Sequence, residues 1–295
     1  MKKLIIIMTL LLSISILNGC QDSEDDRLKV AVSIVPQAGF VEEIGGDLVN
    51  VTTVIPVGFS PENYEPGARQ IIAINEVSVY FTIGVPAESA NILPELRDIN
   101  VVHLEDYVSE RYEDRYFGET EEEHAEDDHD HSHFGRDPHI WLSIKRVILM
   151  VELMVDELSA LDPDNERTYQ ANASDYIDKL NTLNSDIEDM FEDKTMKTFI
   201  VYHPSYGYFA DEYQLTMLAL EEDGKEPSIN HLQELISFAR DNGINKIYHQ
   251  AEIDSEQVRT FTNDIDGESV MLNPLDDDYL KAMRDMAELI AEGLS

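Results

Sequence analysis

Apolar positions along this chain switch between two periods. Short runs dominated by β-branched residues, Leu28–Val35, Val49–Ile55, Val77–Ile83 and Asn100–Leu104, predict strands. Between them Gln37–Ile44, Ala68–Asn75 and part of Ser89–Leu96 carry the spacing of helices. Pro56–Pro66, punctuated by proline, glycine and asparagine, predicts a loop. The same grammar returns later in the chain. Lys197–Tyr202, Gln214–Leu220, Ile244–His249 and Glu268–Leu272 predict strands, with helices at Tyr206–Glu212, Ile229–Asp241, Ser255–Ile265 and Asp276–Gly293. Gly243 supplies a stop for the second of these helices. Strand and helix in alternation are the signature of βα units on a parallel sheet.

The two blocks are separated by purely helical patterns. Ser143–Ala160 has a stripe of Ile144, Val147, Ile148, Val151, Met154, Val155 and Leu158. Asp162-Pro163 then restarts the chain, with Asp162 expected as N-cap and Pro163 at the first helical position. No glycine or proline interrupts from there to about Lys194, and Leu180, Leu183, Ile187 and Met190 form one apolar face. At 1.5 Å per residue such a helix would span roughly 45 Å, the length of a domain. The expected architecture is α/β: two βα domains with parallel four-stranded sheets, residues 28–162 and 195–295, joined by a long rigid backbone helix over 163–194.

The start of the chain changes the expected address. Met1-Lys2-Lys3 followed by apolar Leu4–Leu17 reads as an export signal, too short to span a bilayer comfortably. It ends in Leu17-Asn18-Gly19-Cys20, which resembles a lipobox, so residues 1–20 are expected to be a lipoprotein signal peptide with Cys20 lipidated. Residues 21–27 would be a polar tether, and the chain would stand outside the cell membrane, held by its lipid. Cys20 is the only cysteine, which excludes a disulfide framework and a cysteine-based zinc site. The net charge of −39 argues against nucleic acid, whose phosphates it would repel. It suits cation capture and equally suits life in high salt.

Four of the nine histidines fall within ten residues, His124, His129, His131 and His133, in a run of carboxylates inside the segment 118–138. Imidazole suits zinc, copper, iron or nickel, and the run has almost no apolar side chain to bury, so it predicts a metal-attracting loop. A built site is expected elsewhere, because ligands of open α/β sheets sit beyond the carboxyl ends of strands. Four metal-capable residues follow strand ends: Glu62, His139, His203 and Asn273, two from each block. All four could meet in a cleft between the domains. His249, at a strand end, is a spare, while His103 and His231 suggest surface or structural roles.

Together these segments resemble a known family. Pro61-Glu62-Asn63-Tyr64-Glu65-Pro66 is similar to the P-H-x-Y-E-P motif of the zinc- and manganese-binding solute receptors of ABC importers. Asp137–Ser143 and His203–Ala210 resemble that family's second and third ligand motifs, and the acidic histidine loop is typical of its zinc branch. The resemblance implies one metal held between two βα domains and delivered to a membrane permease by a protein that is not an enzyme. It makes His139 and His203 ligands, sets Glu62 where the family has histidine, and sets Asn273 at the fourth position, with His249 or water as alternatives there. Zn2+ is the expected cargo, with Mn2+ or Fe2+ possible, and a monomer is expected. The rival is an exported zinc-dependent hydrolase, for which no H-E-x-x-H is present. His103-Leu104-Glu105 mimics the start of a deaminase motif without its cysteines.

Overall fold

The computed structural model describes residues 26–117, 135–222, 225–251 and 256–294. The expected signal and Cys20, and the loop histidines His124, His129, His131 and His133, lie outside the described residues.

The first lobe is a parallel sheet of β1 (Leu28–Val32), β2 (Val49–Thr53), β3 (Val79–Thr82) and β4 (Asn100–His103), in the order β2-β1-β3-β4. Its helices are α1 (Val35–Gly45), α2 (Ala68–Ile74) and α3 (Leu104–Ser109). The second lobe repeats the arrangement with β5 (Thr198–Val201), β6 (Thr216–Ala219), β7 (Lys246–Gln250) and β8 (Glu268–Leu272), in the order β6-β5-β7-β8. It carries α6 (Gly207–Glu212), α7 (Ile229–Asn242), α8 (Glu256–Asp264) and α9 (Tyr279–Gly293). Between the lobes run α4 (Ile144–Leu161) and α5 (Glu166–Glu192). The expected fold class is therefore the observed one. Among the described residues no helix is long and apolar enough to cross a membrane.

Parallel strands covered on both faces need apolar side chains at successive positions. In β1, Val30, Ala31 and Val32 are all fully buried. In β5 the alternation assigns each residue to a different core: Phe199 and Val201 join the large cluster that continues into the first lobe, while Ile200 joins a smaller one under α7 and α8. The expected strand through Ile55 outlasts β2 by two residues, which still pair, Val54 N with Val32 O and Ile55 N with Ser33 O at 2.9 Å each.

Helix α5 buries Tyr169, Ala173, Tyr176, Leu180, Leu183, Ile187 and Phe191, a stripe spaced three and four residues apart. Phe191 takes the place expected for Met190. The N-terminal half meets the first lobe, where Tyr176 packs on Phe40 and Asn172 Nδ2 donates to Ile44 O at 2.9 Å. The C-terminal half meets the second, where Phe191 packs edge-on against Phe209 with centroids 5.9 Å apart. One core thus runs through both lobes. The restart at Asp162 differs from expectation. Pro163–Asn165 form a 3₁₀ turn, α5 begins at Glu166, and the Asp162 carboxylate accepts from Tyr169 Oη and Asn165 Nδ2 instead of from helix N–H groups.

A buried polar chain closes the end of the first sheet. Glu88, 2% exposed, accepts from Ile83 N at 2.9 Å, Gly84 N at 2.8 Å and Ser33 Oγ, and Tyr80 Oη lies 2.7 Å from the same Ser33 oxygen. Gly84 has φ +86°, and an added Cβ would meet the Glu105 side chain at 3.1 Å, so glycine is needed for this turn. The segment it fixes holds the 56–66 loop: Ala87 N donates to Pro61 O at 3.2 Å and Asn91 Nδ2 to Tyr64 O at 2.9 Å.

Burial, reinforced by the charge of Glu105, raises the Glu88 carboxyl from 4.5 to about 8. Between these values the unfolded chain has lost this proton and the folded chain keeps it, so stability falls as pH rises, by about 1.4 kcal/mol per pH unit. Below 4.5 both states hold the proton and the contribution is flat. Glu88→Gln is expected to remove this slope: the stability difference from wild type in chemical denaturation should change by on the order of 3 kcal/mol between pH 5.5 and 7.5. A difference that stays constant would mean Glu88 is ionised when folded.

Candidate metal centre

Three of the four strand-end residues converge. Glu62, His139 and His203 each offer one ligand atom, all within 4.8 Å of one another. They line a cavity of about 210 Å³ between the lobes, together with Trp141, Glu221, Gln250 and Leu275.

Glu62 lies in the loop between β2 and α2, with its side chain 39% exposed. The loop is shaped by its own residues. Tyr64 Oη donates to Gln70 Oε1 at 2.7 Å, Gln70 Nε2 reaches back to Val54 O at 3.3 Å, and Phe59 stacks edge-on against Tyr64. His139 precedes the 3₁₀ turn Ile140–Leu142, all three residues of which are buried. Asp137 Oδ1 accepts from His139 N at 3.0 Å and lies 2.7 Å from its Nδ1, which leaves Nε2 for the cavity. Trp141 packs against the imidazole with centroids 5.1 Å apart, and the His203 ring lies 5.5 Å away.

His203 follows β5 and is held at both nitrogens. Nδ1 lies 2.7 Å from Glu221 Oε2 and Nε2 lies 2.8 Å from Glu62 Oε1. Burial acts to lower the pKa of this ring, but hydrogen bonds and charge attraction from Glu221 and Glu62 outweigh it and raise the value to about 9. The His203 hydrogen bond in turn lowers the Glu62 carboxyl, against the effect of burial, with further attraction from His203 and His139. Each histidine therefore has a carboxylate on its Nδ1, the pattern by which metal-binding imidazoles are oriented and made more basic.

The donor set fits a transition-metal dication. Two imidazoles and a carboxylate form a three-ligand set typical of zinc with a fourth position left open. Tetrahedral zinc with bonds of about 2.0–2.1 Å would separate its ligand atoms by about 3.3 Å. The Glu62–His203 contact would have to open only slightly to admit the ion.

The other candidates lie elsewhere. Asn273 is exposed, its Nδ2 bonds Asp276 Oδ2 at 2.7 Å, and it does not line the cavity, although Leu275 two residues on does. Its asparagine serves the turn instead. His249 also stays outside, its Nδ1 lying 3.1 Å from Gln250 O. Successive strand residues face opposite ways, and in β7 it is Gln250 that meets the cavity. His231 Nε2 lies 2.9 Å from Ala219 O. His103, Glu105 and Asp106 form a second group of ligand-type atoms, but Arg136 already supplies a cation there, 3.7 Å from Asp106 Oδ1 and 2.6 Å from Glu105 O.

Sequence reasoning passed over Glu221 and Gln250. Glu221 follows β6, so the strand-end rule that selected the other residues could have found it. Gln250 directly follows the expected strand Ile244–His249, and its neutral amide is a weaker metal signal than the imidazole of His249 beside it.

The family profile described as ZnuA, zinc-uptake complex component A periplasmic, matches residues 30–293. The zinc-binding lipoprotein AdcA of Streptococcus pneumoniae is 29% identical over 262 residues, covering 87% of this chain and 52% of that protein. The chain thus spans about half the length of this curated relative. The high-affinity zinc uptake system protein ZnuA of Bacillus subtilis is 29% identical over 271 residues, 88% of this chain and 82% of the relative. Among solved structures, a crystal structure of ZnuA superposes with TM-score 0.79 at 28% identity, covering 92% of this chain and all of the other. A zinc-bound ZnuA mutant lacking residues 138–173 of its own chain superposes with TM-score 0.81 at 29% identity, covering 92% and 99%. With the profile matched from the first strand to the end of the last helix, this chain belongs to the ZnuA family of zinc-uptake components.

Proposed function

We propose that this protein is an extracytoplasmic receptor that captures one Zn2+ ion between its lobes and delivers it to the permease of an ABC importer. The observation that carries this reading is the convergence of Glu62, His139 and His203, each on a loop beyond a strand end, with both imidazoles braced by carboxylates. Relatives named as zinc-binding and a zinc-bound relative of the same fold support zinc as cargo. The family, and a relative named a lipoprotein, support the same address: Cys20 would tether the chain by lipid to the outer face of the cell membrane. The long core shared by the two lobes favours small local shifts over a wide hinge on metal capture.

Elemental analysis of protein purified without added metal, followed by zinc titration, tests the reading: one tight equivalent per chain is expected. Removing residues 119–133 should lower only the number of weakly bound ions, because the cavity's three ligands, Glu62, His139 and His203, all lie outside that run. Loss of the tight equivalent with that segment would move the site out of the cavity.

Glu62 bears on which metal is carried. A carboxylate is harder than the imidazole the family motif has there, so the site should discriminate less between zinc and manganese or iron. Glu62→His is expected to strengthen zinc relative to manganese, whereas Glu62→Gln should weaken both. If the Glu62→Gln protein binds zinc within about twofold of wild type, a change under roughly 0.4 kcal/mol, Glu62 is not a ligand.

A further inference from the structure

Glu221 belongs to none of the motifs that mark the site, yet it lines the cavity and faces His203 from the side opposite Glu62. Both carboxylates bond the ring, but they hold different nitrogens. Glu62 occupies Nε2, and Glu221 occupies Nδ1. When metal takes Nε2, the Glu62 hydrogen bond must give way to coordination, and Glu221 alone can keep its bond to the ring.

The fold builds this contact. Glu221 N donates to Tyr202 O at 3.0 Å, which ties the residue before His203 to the end of β6. Glu222, next in the chain, accepts from Ser228 N at 2.9 Å, and Ser228 Oγ caps α7 by accepting from His231 N at 3.2 Å. The Glu221 side chain is only 14% exposed, so its bond to Nδ1 competes with little solvent.

We propose that Glu221 is the positioning residue for metal capture: its bond to Nδ1 fixes the His203 ring so that Nε2 alone is presented. This rests on the receptor reading above. Asp137 plays the matching part for His139, but it bonds a residue two positions away on its own segment. Glu221 reaches across from a neighbouring strand, so its removal should loosen the ring while leaving the local backbone at His203 intact.

The test compares Glu221→Ala, Glu221→Gln and His203→Ala in the full chain. Zinc affinity is read by competition with a chromophoric chelator, and the His203 ring by side-chain NMR of the zinc-loaded protein. Glu221→Ala is expected to weaken zinc about 10–100-fold and to shift or broaden the His203 Nδ1–H resonance. Glu221→Gln, whose amide oxygen still accepts from Nδ1–H, should recover affinity to within about fivefold of wild type and keep that resonance. Glu221→Ala binding within about threefold of wild type would overturn the proposal. So would Glu221→Gln losing as much as Glu221→Ala, since that pattern marks a carboxylate bound to the metal itself. Retention of tight zinc by His203→Ala would defeat the reading of the site. Loss in His203→Ala with none in Glu221→Ala defeats the positioning role alone.

Discussion

His203→Ala is expected to weaken tight zinc binding by about 10³-fold, about 4 kcal/mol, the largest effect of any single change in the cavity. Two losses combine. At the proposed site the ion would lose one of three protein ligands, and the second lobe its imidazole among them, since His139 and Glu62 both come from the first lobe. Glu62 and Glu221 also lose the ring to which each is bonded, so neither carboxylate keeps the partner that orients it in the cavity. His231→Ala, which does not line the cavity and is bonded to a β6 carbonyl, should leave zinc affinity within about twofold of wild type. Calorimetric titration of both variants decides it: His203→Ala binding within tenfold of wild type would place the metal elsewhere.

The largest effect on stability is expected from Trp141→Ala, a loss of about 3–5 kcal/mol. Trp141 is the only tryptophan and is 1% exposed. It joins the lobes by two bonds: its Nε1 donates to Pro274 O at 2.9 Å, and its own carbonyl accepts from Tyr279 Oη at 2.8 Å. Alanine would leave a cavity where one core passes from lobe to lobe, and a buried Pro274 carbonyl without its donor, which alone costs about 1–3 kcal/mol. Trp141→Phe keeps much of the volume and loses only the hydrogen bond, so it should cost less. Chemical denaturation of the metal-free proteins, followed by far-UV circular dichroism, measures both. A Trp141→Ala loss below about 1 kcal/mol would mean the lobes are held together elsewhere. Because the indole also packs on His139, Trp141→Ala should weaken zinc as well.

Much of the chain was legible because its signals are local. Helix α7 starts at a Ser228 cap and stops at Gly243, whose φ of +69° is the left-handed conformation glycine favours, and its expected bounds differ by one residue. The expected last helix begins three residues late, at Tyr279, because Asp278 takes the cap and accepts from Lys281 N at 3.1 Å. Two aspartates before it, Asp276 and Asp277, form the turn instead. Helix α3 was missed: six residues after His103 offer no cap and less than two turns of periodicity.

The residues alone determined the repeated βα grammar, the long connecting helix, and the strand-end positions of Glu62, His139 and His203. These follow from spacing, capping and the direction of parallel strands, each of which acts over a few residues. Only the tertiary structure decided which polar side chains turn inward. Asn273 satisfies Asp276 at the surface, one residue's alternation gives the cavity Gln250 and not His249, and Glu221 reaches His203 across two adjacent strands. The physical reason is that a polar side chain at a strand end settles where packing supplies its hydrogen bond: for His203 that is Glu221 just past the adjacent strand, for Asn273 it is Asp276 at the surface, and the pattern of residue types does not show which.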